Sequence, residues 1–396
     1  MHPMKNIITL LVVLSFISCQ KEIPENEAIP TNNSEEFNAY KPLQNTLVRT
    51  ISIPNDTIYG QYGKIEVGFE SGREIIYATN LMANIMDNFD LAEATHFKTN
   101  RINNDPALFN VPLSEIIRIS EDSIFLFGPG GRLFLVDNEM RVTNQWNFSR
   151  NIEPNDGLSG IDPLNSTESF FLNGKSLFVR SYPAFNWDNE VEFYEKPFMV
   201  EYDLEKNEVI RQLGYFPKFM TDNKDEYFFN DYKFSWLKSN SDKNKLLVSF
   251  RRSHHLMVLD LETGDQSFVP AKSNYLDRFN LMPRNYDPQN SFNALITNGI
   301  YHRLIYDQYR DVYYRIVAHD QPLKNPITNR LNSAAYKPFS IIVLDKDLNY
   351  LGESTFENYN RFSYLNISVC SEGLLFFVKN ESNESVVQFD IFNIIL

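Results

Sequence analysis

Apolar runs that end in an aspartate recur along the chain and predict its secondary structure. The six runs end at Asp90, Asp137, Asp203, Asp260, Asp345 and Asp390. In the clearest copy, Pro197 to Leu213, apolar and polar residues alternate on both sides of the turn residues Glu-Lys-Asn-Glu. A period of two around a polar turn is typical of a β-hairpin. The repeat therefore predicts an all-β chain built from hairpins.

A second hairpin precedes the aspartate-ended run in each copy, as in Glu168 to Tyr182 with its Asn173-Gly174 turn. Two successive hairpins form a four-stranded antiparallel meander, and we expect no helix of ten or more residues between the runs, which argues against parallel strands. Six meanders predict a six-bladed β-propeller, because radial repetition protects strand edges. Two alternatives remain open: a seventh blade within the 85 residues between Asp260 and Asp345, or two stacked β-sandwiches.

The sixth unit has only three strands of its own before Leu396. The segment Thr46 to Ile53, which belongs to no hairpin, alternates apolar and polar residues and can supply the missing outer strand. We therefore expect the N-terminal strand to close the ring, which places the strands from both ends of the chain in one blade.

The long connections fall almost entirely on one face of the predicted propeller. With the strands of a blade labelled A to D from the axis outward, the A–B and C–D turns are short, whereas the B–C and D-to-next-A connections are long. The long segments are Ser149 to Thr167, Pro183 to Lys196, Gly214 to Asp231, Ala271 to Gly299 and His319 to Pro338. Because long structured loops often carry binding residues, we expect any ligand or partner site on this long-loop face.

The N-terminus has the features of an export signal. Lys5 precedes an apolar run from Ile7 to Ile17, too short to span a bilayer as a helix, and Ser18-Cys19 follows it. This pattern resembles the bacterial lipoprotein signal, which implies that Cys19 is lipidated. We expect a signal peptide over residues 1–18, a lipidated flexible tether over 19–45 and the propeller over 46–396. The predicted location is the outer membrane, on either the cell surface or the periplasmic face.

Composition agrees with this architecture. Aromatic residues make up 14% of the chain, with 32 Phe and 21 Tyr, and both types favour strands. Large rings at alternate strand positions are expected in the core between blades. The net charge of −14 argues against nucleic acid as a partner, because that binding relies on Lys and Arg at phosphates.

A few side chains near the long loops are candidates for ligand binding. Trp187 could stack on a sugar ring or a peptide side chain, or could cap its own loop. The tight loop Arg251 to His255 could bind an anion through Arg251, Arg252, His254 and His255, or could be a solvated loop paired with nearby acids. Arg303 and Arg315 could line the ring, or could form structural pairs.

Motifs that would identify catalysis are missing from the sequence. It contains no G-x-S-x-G, H-E-x-x-H, P-loop, G-x-G-x-x-G or EF-hand pattern. Adjacent histidines on a strand point to opposite faces, so His254 and His255 make a poor metal site. We therefore predict no cofactor, no metal and no catalytic residue.

The lipoprotein start Phe-Ile-Ser-Cys-Gln-Lys-Glu, the six aspartate-ended hairpins and the hairpin Tyr301 to Arg315 together resemble a known group. They are similar to the six-bladed β-propeller lipoproteins of Bacteroidota that form a domain-of-unknown-function family. That family provides no active site to transfer to this chain.

Two functions of different classes follow. The first is a non-enzymatic binding or scaffold module whose long-loop face holds a glycan, peptide or protein, while a lipid anchor attaches it to the membrane. The second is a hydrolase or lyase acting on a carbohydrate or lactone in the central funnel. Carboxylates around the axis would favour the enzyme. A third possibility is a sensor arm of a membrane assembly.

Overall fold

The computed structural model describes residues 37, 39–54, 62–128, 131–148, 158–161, 170–183, 191–220, 226–227, 235–238, 244–277, 279, 282–283, 288–356, 360–378 and 386–396. Within these residues, four-stranded antiparallel sheets form six propeller blades. The predicted fold is confirmed, and the seven-blade and sandwich alternatives are wrong.

The first strand, β1 (Gln44–Pro54), belongs to the last blade. Blade 1 consists of β2 (Lys64–Glu70), β3 (Arg73–Asn80), β4 (Ile85–Asp90) and β5 (Thr95–Arg101). Blade 2 consists of β6 (Glu115–Ser120), β7 (Ser123–Gly128), β8 (Arg132–Val136) and β9 (Val142–Asn147). Blade 3 consists of β11 (Phe170–Asn173), β12 (Ser176–Pro183), β13 (Pro197–Asp203) and β14 (Glu208–Tyr215), and β10 (Leu158–Ile161) also pairs with β12.

Blade 4 consists of β16 (Ser235–Lys238), β17 (Lys245–Ser249), β18 (His255–Asp260) and β19 (Gln266–Pro270). Blade 5 consists of β21 (Ile300–Asp307), β22 (Val312–Ala318), β23 (Phe339–Asp345) and β24 (Tyr350–Thr355). Blade 6 consists of β25 (Phe362–Cys370), β26 (Gly373–Val378), β27 (Val386–Ile395) and β1. Outside the blades, β15 (Glu226–Tyr227) pairs with β20 (Met282–Pro283). Short helices are α1 (Val191–Tyr194), α2 (Pro288–Thr297) and the 3₁₀ turns Pro106–Leu108 and Lys218–Met220.

The N-terminal strand closes the ring as predicted. β1 pairs antiparallel with β27 from Gln44 opposite Ile395 to Pro54 opposite Val386. Ile51 and Ile53 are buried in the apolar core between blades 6 and 1. Just before this strand, the backbone of residues 41–43 bonds along β24, where Glu353 donates to the carbonyl of Lys41. The closing strand is therefore held by packing as well as by its sheet bonds.

The aspartates of the repeat organise the C–D turns. The carboxylate of Asp260 accepts the backbone N–H groups of Glu262 and Thr263, each at 2.9 Å. Asp203 accepts two turn N–H groups in the same way. These backbone bonds hold the pKa of Asp203 and Asp260 below the ordinary aspartate value. The recurring aspartate therefore stabilises the turn that follows it, because its carboxylate accepts N–H groups that the tight turn leaves unpaired.

Aromatic rings fill the spaces between blades. Phe376 of blade 6 packs against Phe339 and Phe356 of blade 5, with ring centroids 6.0 and 5.0 Å away. Phe362 and Phe392 meet edge to face at 5.5 Å in the same cluster. The high aromatic content is therefore largely structural, as the sequence indicates.

One helix differs from the sequence prediction. α2 has ten residues and lies in the long interval that could have held a seventh blade. Its Ile296 is buried, whereas Phe292 and Leu295 remain largely exposed. Phe292, Leu295 and Ile296 are spaced as in a helix, but three such positions in one short segment are too few for the pattern to predict a helix. In the described part of the chain, no helix is long and apolar enough to cross a membrane.

Candidate functional site

The starting ends of the innermost strands meet near the propeller axis on the long-loop face. First strands of adjacent blades contact one another, including β2 with β25 and β21 with β25. The residues between β22 and β23, and α2 between β19 and β21, lie at this same end. The short A–B and C–D turns lie at the opposite end, which we call the short-turn end. We call the first region the axial long-loop end.

A buried ion pair joins blades 1 and 2 at the axial long-loop end. Nζ of Lys64 lies 2.6 Å from Oε1 of Glu115 and 3.1 Å from Oε1 of Glu66. It also donates to the carbonyl of Ile116 at 2.5 Å. Burial lowers the pKa of Lys64, but the two carboxylates outweigh it and raise the pKa above its usual value. Glu115 is therefore engaged by a cation, an arrangement that suits a structural ion pair.

Blade 5 presents a histidine and an arginine at an irregularity of its innermost strand. The register of β21 against β22 shifts between Tyr301 and Leu304, which places His302 and Arg303 in a bulge. Nη1 of Arg303 donates to the carbonyl of Ile367 at 3.1 Å, so it reaches blade 6. The His302 ring meets the Tyr364 ring edge to face at 5.1 Å. The bulge thus directs both side chains toward the first strand of blade 6.

His302 is neutral at physiological pH. Burial drives its pKa well below the usual histidine value, and the charges of Arg251 and Arg303 lower it further. A neutral imidazole has one N–H donor and one lone-pair acceptor. Among the residues that the structure describes, neither ring nitrogen of His302 has a hydrogen-bond partner.

The loop from Arg251 to His255 is packed inside the protein rather than solvated. Arg251 is half-buried, whereas Arg252, His254 and His255 are buried. The charge of Arg251 acts on both His302 and Lys337, which places it within the axial group. The alternative of a solvated loop is therefore wrong, because local composition does not report burial.

The two histidines of this loop are packed among aromatic residues. Tyr301 accepts the backbone N–H of Ser273 at 2.9 Å, and its hydroxyl is hydrogen-bonded to Nδ1 of His254 at 2.8 Å. The Phe37 ring packs 5.6 Å from His254 and 5.1 Å from His255. Burial lowers the pKa of His254 to about 3 and that of His255 to about 4. Neutral, packed rings suit a structural role.

Arg315 lies beneath this loop and is completely enclosed. It donates to the Ser249 hydroxyl at 2.9 Å and to the carbonyls of Ala271 and Ser253, each at 2.7 Å. Its guanidinium carbon lies 3.5 Å from the centroid of the Tyr301 ring. Burial lowers the pKa of Arg315 to about 10, which leaves it charged at neutral pH. These contacts suit a residue that holds the loop in place.

The similarity to known proteins agrees with this architecture. The model of the family described as a domain of unknown function, DUF4221, matches residues 50–355. The chain belongs to the DUF4221 family. The crystal structure of a DUF4221 member from Bacteroides vulgatus ATCC 8482 is 19% identical and superposes with a TM-score of 0.73, covering 89% of this chain and 98% of that one. This likeness supports the propeller fold alone.

A second solved structure is more distant from this DUF4221 chain. It comes from a Bacteroides fragilis NCTC 9343 protein thought to be exported, with 9% identity and a TM-score of 0.47, over 88% of this chain and 94% of that one. No curated protein matches the chain significantly.

Sequence reasoning missed several polar residues of the candidate site. Lys337, at the end of the loop between β22 and β23, donates to the carbonyl of Asn298 at 2.5 Å. Burial lowers the pKa of Lys337 to about 8; Asp320 opposes this shift, and Arg252 and Arg251 add to it. Asn366 of β25 donates to the carbonyl of Tyr62 at 3.0 Å. The only sequence signal for Lys337 is its place beside Pro338 at a loop end.

Two predicted residues, Cys19 and Trp187, lie outside the described residues. Within the described part of the chain, no group of three or more His, Cys, Asp or Glu side chains is placed to hold a metal ion. Of the remaining candidates, the structure brings Arg251, Arg252 and Arg303 together with Lys64 and Lys337 near the axis, and it encloses His254, His255 and Arg315 in packing contacts.

Proposed function

We propose that this chain is an exported binding module that holds a glycan, peptide or protein partner on its long-loop face. The observation that carries the proposal is the concentration of positive charge at the axial long-loop end. Five cationic side chains from blades 1, 4 and 5 lie there: Lys64, Arg251, Arg252, Arg303 and Lys337. Glu66, Glu115 and Asp320 offset part of this positive charge, and its excess favours an anionic partner group.

The loops around this end add exposed apolar residues to the proposed face. Phe292 of α2 is 49% exposed, and Ile327 of the following loop is 92% exposed. The amide of Gln321 donates to the carbonyl of Ile296 at 3.1 Å, so this loop is attached to α2. A rim of apolar side chains beside a cationic centre supports recognition of a partner with acidic and apolar groups.

An array of neutral and acidic glycans and peptides tests the binding face. Phe292→Ala and Ile327→Ala should weaken binding of any hit, because both residues lie on the proposed face. Phe69→Ala and Ile119→Ala are controls of the same residue types, since both side chains are about half exposed near the short A–B turns. Binding that fell only with the control variants would contradict the proposal.

We also propose that Cys19 carries a lipid that anchors the module in the outer membrane. The proposal rests on the apolar run and the Ser18-Cys19 pair in the sequence. Cys19→Ala should move the protein from the membrane fraction to the soluble fraction, while Cys370→Ala should leave it in the membrane fraction. Unchanged fractionation of Cys19→Ala would refute the anchor.

A further inference from the structure

The buried polar atoms without partners at the axial long-loop end indicate what a ligand must supply. His302 is only 9% exposed, and both of its ring nitrogens lack a hydrogen-bond partner among the described residues. An unsatisfied buried polar group is costly, so each such atom calls for an explanation. Because the ring is neutral, it offers one donor and one acceptor to an incoming molecule.

A neighbouring strand carries a second atom of this kind. Asn366 is also 9% exposed, and its Oδ1 has no partner within the described part of the chain. Nη1 of Arg303, the residue after His302, donates to the carbonyl of Ile367, the residue after Asn366. Both residues lie at bulges, since the register of β25 also shifts between Phe362 and Ile367. The two irregular strands thus bring these unsatisfied groups to one level of the propeller.

The positive side chains around His302 favour a ligand with a negative charge. The positive charges of Arg251 and Arg303 both lower the pKa of His302. The charge of Arg303 also acts on Lys64. Glu115 and Glu66 pair with Lys64, on the blade 1 side of the group. An anion beside His302 would face the two arginines, and arginine is well suited to carboxylates.

We propose that the axial long-loop end binds a hydroxylated carboxylic acid, such as a sugar acid, between His302, Arg251 and Arg303. The ligand carboxylate accepts a hydrogen bond from the N–H of His302 and is attracted by the positive charges of Arg251 and Arg303. A hydroxyl of the ligand donates to the second nitrogen of His302 or to Oδ1 of Asn366. This inference rests on the proposed binding function and adds the chemical class of the ligand.

Calorimetric titration of the full chain at neutral pH tests the ligand class. D-glucuronate should bind, and D-glucose, which lacks the carboxylate, should bind at least tenfold more weakly, since a charged hydrogen bond has roughly that effect on affinity. Lactate should likewise bind more tightly than propionate, which lacks the hydroxyl. Equal binding within either pair, or no binding of glucuronate at millimolar concentration, would overturn the proposal.

Variants test the location. Arg251→Gln and His302→Phe should each weaken glucuronate binding roughly tenfold. Arg310→Gln is the matched control, because Arg310 pairs with Asp307 at a short A–B turn of the same blade. His302→Phe should also raise the midpoint of urea unfolding without ligand, since it removes two unsatisfied buried nitrogens and keeps a ring against Tyr364. A lower midpoint would indicate a structural histidine and would overturn the proposal.

The two proposals can fail separately. If glucuronate does not bind, but array hits still depend on Phe292 and Ile327, the long-loop face remains the binding face and the acid-binding inference is overturned. If the array hits depend on neither residue, while glucuronate binding depends on His302, the proposed face for larger partners fails instead.

Discussion

The turn aspartates at one end of the propeller and the buried cations at the other end differ in the range of their hydrogen bonds. At the short-turn end, Asp203 and Asp260 accept backbone N–H groups within their own turns, and every such bond spans two or three residues. At the axial long-loop end, Arg303 and Lys337 reach residues 64 and 39 positions away. The turn aspartates thus act within single turns, whereas Arg303 and Lys337 join segments that are distant along the chain. Long-range contacts also occur at the short-turn end, where the backbone N–H of Ser371 donates to Glu74.

This contrast separates fold from function. Sequence features that repeat from blade to blade stabilise the fold, because each copy closes the same kind of turn. Features that only some blades share, such as the register shifts near the starts of β21 and β25, do not serve a task common to every blade. Departures from the local rules of a fold are expected at functional sites, where stability is exchanged for binding.

The largest expected effect comes from Arg315, under the long-loop end. Arg315→Leu leaves the carbonyls of Ala271 and Ser253 without their donor, which should lower the free energy of unfolding by about 3 kcal/mol or more. The control is Arg141→Leu at the short-turn end, whose mostly exposed ion pair with Asp137 should contribute less than about 1 kcal/mol. Urea unfolding measures both, and equal losses would contradict the contrast between the ends.

The second-largest expected effect is a loss of unfolding free energy in acid, which arises from His319 at the long-loop end. Burial, helped by the charge of Lys337, lowers the pKa of His319 from 6.5 to about 4. The unfolded chain therefore binds more protons between these values, so stability present above pH 6.5 falls as the pH drops toward 4, at about 1.4 kcal/mol per pH unit for a single histidine.

His319→Gln should reduce this pH dependence, measured as unfolding free energy from pH 7 to pH 4.5. His96→Gln is the control, because the His96 side chain is 25% exposed on β5. Unfolding curves for His319→Gln that keep the full wild-type slope would show that this histidine does not titrate as its burial requires.

The smallest expected effect lies in the repeated turns. Asp260→Ala removes the acceptor of two turn N–H groups and should cost about 1 kcal/mol, similar to the loss of a helix cap. Glu262→Ala, in the same turn, should cost less than about 0.5 kcal/mol because its side chain is exposed. A loss for Asp260→Ala as large as that for Arg315→Leu would remove the distinction between the two ends.

Much of the fold could be predicted from the sequence because its signals are local. The aspartate turns depend on residues two or three positions apart, and the alternation in β1 is visible within ten residues. The closing role of β1 followed from counting strands in the last blade. α2 was missed because its helical spacing is carried by three apolar residues of one short segment, Phe292, Leu295 and Ile296.

The site was less predictable because its members meet through the fold. Arg251 and Arg303 stood out as parts of basic clusters, but His302, Lys337 and Asn366 became notable only beside partners on other strands. His254 and His255 attracted attention as neighbours in sequence, although the structure gives their rings packing contacts with Phe37. Composition reports which groups are present, and the register shifts in β21 and β25 decide which of them meet.

The location of bound anions tests the central claim most directly. Crystals of the full chain soaked in sodium bromide, measured at the bromine absorption edge, would reveal anion positions in an anomalous difference map. The strongest bromide peak should lie at the axial long-loop end, in contact with Arg251, His302 or Arg303. A strongest peak among the short A–B and C–D turns, with none beside these three residues, would contradict the assignment of binding to the long-loop face.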